Sequence, residues 1–151
     1  MNRRDALKQT ALMLGYAVSA SAVAGVMAGC QASEVDNWQP AFLNKDQGKL
    51  VAEMAERILP ATDTPGAKDV GVHAFIDSML QDHLSEEEIT NFMAGIPKVD
   101  AAAKELFNKP FVSLEDSQKD EVLNRLVAEG EGNPKDFFNQ MRQLTVLGYF
   151  T

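Results

Sequence analysis

Apolar residues recur at helical spacing along most of residues 45–147. That period marks helices that bury one face and wet the other. Leu50, Val51, Met54, Ile58 and Leu59 form the first stripe and predict a helix from Lys45 to Leu59. Asn44 can cap it, with Gln47 at capping-box spacing, and Glu53 and Arg57 read as an i,i+4 pair on the wet side. Pro60 ends it, because proline lacks the N–H that a helix interior needs. Val72, Phe75, Ile76, Met79, Leu80 and Leu84 form the second stripe, with Asp69 or Val70 as the helix start. Ser85-Glu86-Glu87-Glu88 is a capping box that opens a third helix, whose stripe is Ile89, Phe92, Met93 and Ile96. Gly95-Ile96-Pro97 predicts a break or kink, after which Val99, Ala102, Ala103, Leu106 and Phe107 resume a helical face. A fourth helix follows Ser113 or Leu114, with Asp116 as a reciprocal cap. It buries Val122, Leu123, Leu126 and Val127 and stops at Gly130. Pro134 suits the first position of a fifth helix, which Phe137, Phe138, Met141, Leu144, Thr145 and Leu147 make dense in apolar groups. No stretch alternates as a strand would. The fold class is all-α, an irregular bundle of about five or six helices after an N-terminal signal segment.

Between the first two helices lies the densest run of turn residues. Pro60 to Gly71 holds two prolines, two glycines, two threonines and two aspartates. Pro65-Gly66 is a strong turn signal, since proline presets the second turn residue and glycine tolerates positive φ at the third. Thr62, Asp63 and Thr64 can hydrogen-bond nearby backbone groups, which favours an ordered loop. The run reads either as a rigid connector or as a loop presented to a partner.

Residues 1–29 break the helical pattern and read as an export signal. Asn2-Arg3-Arg4-Asp5-Ala6-Leu7-Lys8 resembles a twin-arginine motif, with alanine where phenylalanine is usual. Ala11 to Gly29 follows without a charge. Met27-Ala28-Gly29-Cys30 resembles a lipobox, which would make Cys30 an acylated mature N-terminus anchored in a membrane. A signal cleaved from a soluble protein and an uncleaved anchor are the other readings. Residues 30–41 are a polar tether whose one large apolar side chain, Trp38, lies either at the membrane interface or on the domain. Residues 42–151 form a single helical domain.

Charge narrows the partners. The net charge is −8, and the leader contributes +2, so the remainder carries about −10. Such a domain is not built for a nucleic-acid backbone or for electrostatic docking on anionic lipid. One cysteine allows no intrachain disulfide. There is no dinucleotide, P-loop, C-x-x-C or haem-attachment motif, and His73 and His83 share no metal-ligand spacing. Asp63, His73 and Ser78 are the residue types of a hydrolytic trio, but nothing in their spacing demands one.

Leu59-Pro60-x-Thr62-Asp63-Thr64-Pro65-Gly66-Ala67, followed by Val72-x-x-Phe75-Ile76-Asp77, resembles the gluconate 2-dehydrogenase subunit 3 family. Phe138 and the run from Met141 to Thr151 extend the likeness, which covers roughly residues 42–151. Members are small subunits of bacterial membrane-associated, flavin-dependent sugar and sugar-acid dehydrogenases. The resemblance implies no catalytic residue and no cofactor in this chain. It implies FAD in a large flavoprotein partner of the glucose–methanol–choline type, and haem c in a possible third, cytochrome c subunit. It also implies that the small subunit supplies Arg3 and Arg4 to the twin-arginine export machinery and carries the folded flavoprotein to the periplasmic side of a bacterial membrane. A further tail beyond Thr151 is implied as well. Thr62, Asp63, Thr64, Pro65, Gly66, Tyr149 and Phe150 are the candidate partner contacts, because aromatic anchors dominate interface energy. The contrasting reading is a stand-alone exported helical lipoprotein acting as a binding module.

Overall fold

Asn44 opens the first long helix as its side chain predicts. Its Oδ1 accepts the Gln47 N–H at 2.8 Å, and its own N–H donates to Gln47 Oε1 at 3.0 Å. The structure, a computed structural model, describes residues 34–133 and 135–151. Arg3, Arg4, Cys30 and Pro134 lie outside the described residues. Among those described there are six α-helices and no strand: α1 (Glu34–Asn37), α2 (Lys45–Ile58), α3 (Val72–Asp82), α4 (Glu86–Phe107), α5 (Asp116–Glu129) and α6 (Phe137–Phe150). The chain is all-α. α1 is a single turn that belongs to a separate unit, and the bundle itself is the unit Trp38–Thr151.

Several boundaries differ from the sequence expectation, each for a local reason. α3 begins at Val72, not at Asp69 or Val70, because Gly71 sits at φ +75°, a left-handed conformation that a right-handed helix cannot contain. α4 runs unbroken through Gly95-Ile96-Pro97. A proline there leaves the Met93 carbonyl without its helical donor. Pro97 itself faces solvent, while Phe92 and Ile96 before it and Val99, Ala102 and Ala103 after it enter one core. Burial on both sides of the proline offsets the missing bond. Asn108 closes α4 at φ +56°, a conformation asparagine tolerates better than most residues. Phe111–Ser113 is a 3-10 turn, pinned by the Phe111 N–H on Asp100 Oδ1 at 2.9 Å. α5 starts from Glu115, whose N–H donates to Gln118 Oε1 at 3.1 Å, not from Ser113 or Leu114. α6 starts at Phe137, where Asp136 Oδ2 accepts the Phe138 N–H at 2.9 Å.

α6 is the central strut and packs on α2, α3, α4 and α5. Phe137, Phe138, Met141, Leu144 and Thr145 form its buried line. Gly148 continues that line, since a Cβ there would stand 2.6 Å from Phe75 Cδ1 on α3. Leu147 therefore falls outside the core and is 51% exposed. Val127 and Leu106, at the edges of their stripes, are also open. Trp38 is half-buried on the domain, edge-on to His73 with ring centroids 4.9 Å apart and its ring against Gly48.

Gly95 is buried beneath the ring of Phe137, which occupies the space a Cβ would need. Helix propensity alone would make Gly95→Ala stabilising by about 1 kcal/mol. The packing reverses the sign, and a loss of about 1–3 kcal/mol in urea unfolding is expected. A gain in stability would mean that the Phe137 ring is free to swing aside.

Candidate functional site

The loop between α2 and α3 is held from beneath by one carboxylate. Glu56, in the last turn of α2, accepts the Ala61 N–H on Oε1 at 3.1 Å and the Lys68 N–H on Oε2 at 2.9 Å. It thereby joins the entry and exit arms of the loop. Gly66 lies directly over it. A Cβ on residue 66 would meet the Glu56 carboxylate and stand 2.6 Å from the Ala61 nitrogen. Further bonds close the ring: Ala67 N–H to the Leu59 carbonyl at 2.9 Å, Gly66 N–H to Asp69 Oδ2 at 2.9 Å, and Thr62 N–H to the Thr64 carbonyl at 2.9 Å. These backbone donors find their acceptors within the protein, which is what an ordered loop requires.

Thr62, Asp63, Thr64 and Pro65 are left exposed at the apex, and Gly66 is buried under them. The end of α6 meets them there. The Tyr149 hydroxyl donates to the Pro65 carbonyl at 2.8 Å, and Phe150 packs edge-on against Tyr149 with ring centroids 5.1 Å apart. Phe150 is 79% exposed. Val146 and Leu147, a turn earlier on the same side of α6, are also open. Candidate contacts far apart in sequence thus form one surface.

A second set of charges fastens this surface to the bundle. The sequence pairs Glu53 with Arg57, but the structure separates them. Glu53 takes Lys68 Nζ at 2.5 Å and Lys119 Nζ at 2.7 Å. Arg57 grips Asp120 with two nitrogens at 2.7 and 2.8 Å, and reaches Asp116 at 3.2 Å. α2 is in this way tied to both the loop and α5. Burial pushes the Glu53 carboxyl up, but the Lys119 and Lys68 hydrogen bonds and charges outweigh it and hold the group below its ordinary value. The Arg57 hydrogen bond likewise holds Asp120 down.

Asp77 does a related job on α3. Its buried carboxylate accepts the N–H groups of Ala41 at 2.7 Å, Phe42 at 3.1 Å and Leu43 at 2.7 Å. The chain entering α2 is fixed by those bonds.

The other histidine and serine candidates are not assembled. His73 is buried against Trp38, whereas His83, Asp63 and Ser78 are exposed. A polar cleft of about 330 Å³ at the start of α4 is crossed by the Glu87–Lys135 ion pair at 2.8 Å. Among the described residues no group of three His, Cys, Asp or Glu side chains is placed to hold a metal ion, and no helix is long and apolar enough to cross a membrane.

The fold and this surface define a class: a small all-helical domain that presents a braced loop beside the end of its central helix. Within that class, the chain belongs to the gluconate 2-dehydrogenase subunit 3 family, whose sequence profile matches residues 45–151. The match starts at the first residue of α2 and takes in the loop, Asp77 and all of α6. It identifies the chain as a small subunit that associates with a larger dehydrogenase complex. No curated protein and no solved structure matches the chain.

Sequence reasoning missed Glu56 as the loop's brace, Glu53 as a junction of two lysines, and Asp77 as a backbone clamp. The available signal was a pair of acids one turn apart at the end of a helix that feeds a loop rich in backbone donors.

Glu53→Gln should cost about 3 kcal/mol at neutral pH, because the buried Lys119 ammonium loses its counter-charge. The stabilisation from Glu53 is complete above the ordinary carboxyl value of 4.5 and is lost as pH falls through the lower folded value. The gap between wild type and variant in urea unfolding should therefore narrow on acidification below that point. A gap constant with pH would place the support of Lys119 elsewhere.

Proposed function

We propose that this chain is a non-catalytic accessory subunit of an acceptor-dependent, membrane-associated dehydrogenase that oxidises a sugar or sugar acid. Its partner is a large FAD-containing flavoprotein of the glucose–methanol–choline type, and electrons pass onward to a cytochrome c subunit. The twin-arginine leader, with Arg3 and Arg4, takes the folded pair across the membrane. Cys30, acylated, holds it on the periplasmic side. Family membership supports this reading, and one observation carries the contact surface. The Tyr149–Pro65 hydrogen bond merges the two stretches that resemble the family, the Thr62–Gly66 loop and the end of α6, into a single outward face.

An affinity tag placed in the exposed turn at Gly132 leaves that face clear. Purification from membranes should then recover a large yellow protein with a flavin spectrum. A lone colourless protein would favour the stand-alone lipoprotein. Leu147→Ser combined with Phe150→Ser removes two open apolar side chains. Recovery of the flavoprotein should fall more than tenfold, in the range of interface hot spots, while the urea midpoint moves little. Undiminished recovery would take the end of α6 out of the interface. Separately, Arg3→Lys with Arg4→Lys should leave both subunits in the cytoplasm. Normal export of the flavoprotein in that variant would mean that it travels on its own signal.

A further inference from the structure

Glu56 sits outside the turn motif and outside the exposed apex, yet it touches both arms of the loop. We infer that Glu56 is a positioning residue for partner recognition, whose carboxylate holds the Thr62–Pro65 apex preformed in the shape the partner reads. This rests on the accessory-subunit reading and extends it to a residue that never meets the partner.

Few bonds tie the apex to the helices. The Thr62–Thr64 bond lies within the apex, and the Gly66–Asp69 bond lies within the loop's exit arm. These parts are linked to the bundle by the Ala67 N–H to the Leu59 carbonyl, the Val72 N–H to the Ala67 carbonyl, Tyr149 to the Pro65 carbonyl, the Lys68 ammonium to Glu53, and the two bonds to Glu56. Among the side chains in these links, Glu56 alone binds both the entry arm, at Ala61, and the exit arm, at Lys68. Both are charge-assisted bonds, which are stronger than bonds between neutral groups. Lys68 is the handle for α2 twice over. Its N–H goes to Glu56, and its ammonium reaches back to Glu53 one turn earlier. The glycine above completes the fit, since any side chain at position 66 would displace the carboxylate.

An unclamped loop would sample many shapes, and apparent affinity falls in proportion to the fraction in the competent one. Reducing that fraction to about a tenth weakens binding about tenfold. Glutamine at position 56 keeps one acceptor oxygen but turns an NH₂ toward the second N–H, so it should retain one of the two bonds. Affinity should therefore fall in the order Glu, Gln, Ala.

The test uses the protein purified from membranes and the flavoprotein that co-purifies with it. Hydrogen exchange is followed in peptides covering 59–70, and affinity is measured by titration, for wild type, Glu56→Gln and Glu56→Ala. In Glu56→Ala the loop peptides should exchange at least tenfold faster, peptides from α4 and α6 should be unchanged, and affinity should fall about tenfold. Glu56→Gln should lie between, and it supplies the series if the alanine variant folds poorly. Unchanged exchange in the loop would overturn the inference, as would faster exchange with unchanged affinity; in the second case the subunit reading survives. A wild-type chain that fails to bind the flavoprotein would remove both together.

Discussion

Two close approaches fix where α6 can lie. At one end the Phe137 ring fills the space above Gly95 of α4, and at the other Phe75 of α3 fills the space beside Gly148. Between them Phe138, Met141, Leu144 and Thr145 are buried against four helices. Thr145 satisfies its hydroxyl by donating to the Met141 carbonyl at 2.8 Å, so the interior of the strut keeps no stray donor there. The remaining geometry follows from this seating. Tyr149 is the next residue after the Gly148 contact, so its hydroxyl falls within reach of Pro65. Interiors packed as tightly as crystals transmit such constraints over several residues.

The loop is held differently, by charge rather than by packing. Its apex buries almost nothing, so hydrophobic burial cannot order it. Carboxylates on α2 do so instead, one through backbone N–H groups and one through a lysine of the loop while it also binds a lysine of α5. Asp77 applies the same device to the chain that enters α2. Acidic groups on short, rigid helical positions thus fix the irregular segments, and the helices fix one another by packing. In an acidic chain, much of the negative charge that reads as mere solubility has a structural assignment.

The helices were legible because their signals are local. The capping residues Asn44 and Ser85 act within three positions, and the apolar stripes repeat within one turn or two. The unbroken passage of α4 through Pro97 was not legible, because its cause is the burial of residues on both sides in a core that the sequence does not display. The face of α6 that is buried was not legible for a similar reason: Gly148 and Phe75 set that line, and they lie far apart in the chain. At the candidate site, the composition of the Thr62–Gly66 loop announced an ordered turn. Its partners in space did not announce themselves. Glu53, Glu56 and Asp77 look like ordinary solvated acids until tertiary structure brings Lys119, Lys68 and the Ala41–Leu43 backbone to them.

The hydrogen bond from Tyr149 to Pro65 joins residues 84 positions apart. On a translating ribosome the loop emerges long before the helix that completes its surface. At common elongation speeds, roughly 4–17 s separate the two. Throughout that interval the nascent chain shows a partner only half of the outward face. A companion subunit that reads the whole of this face, as proposed above, meets it complete only once α6 has been made.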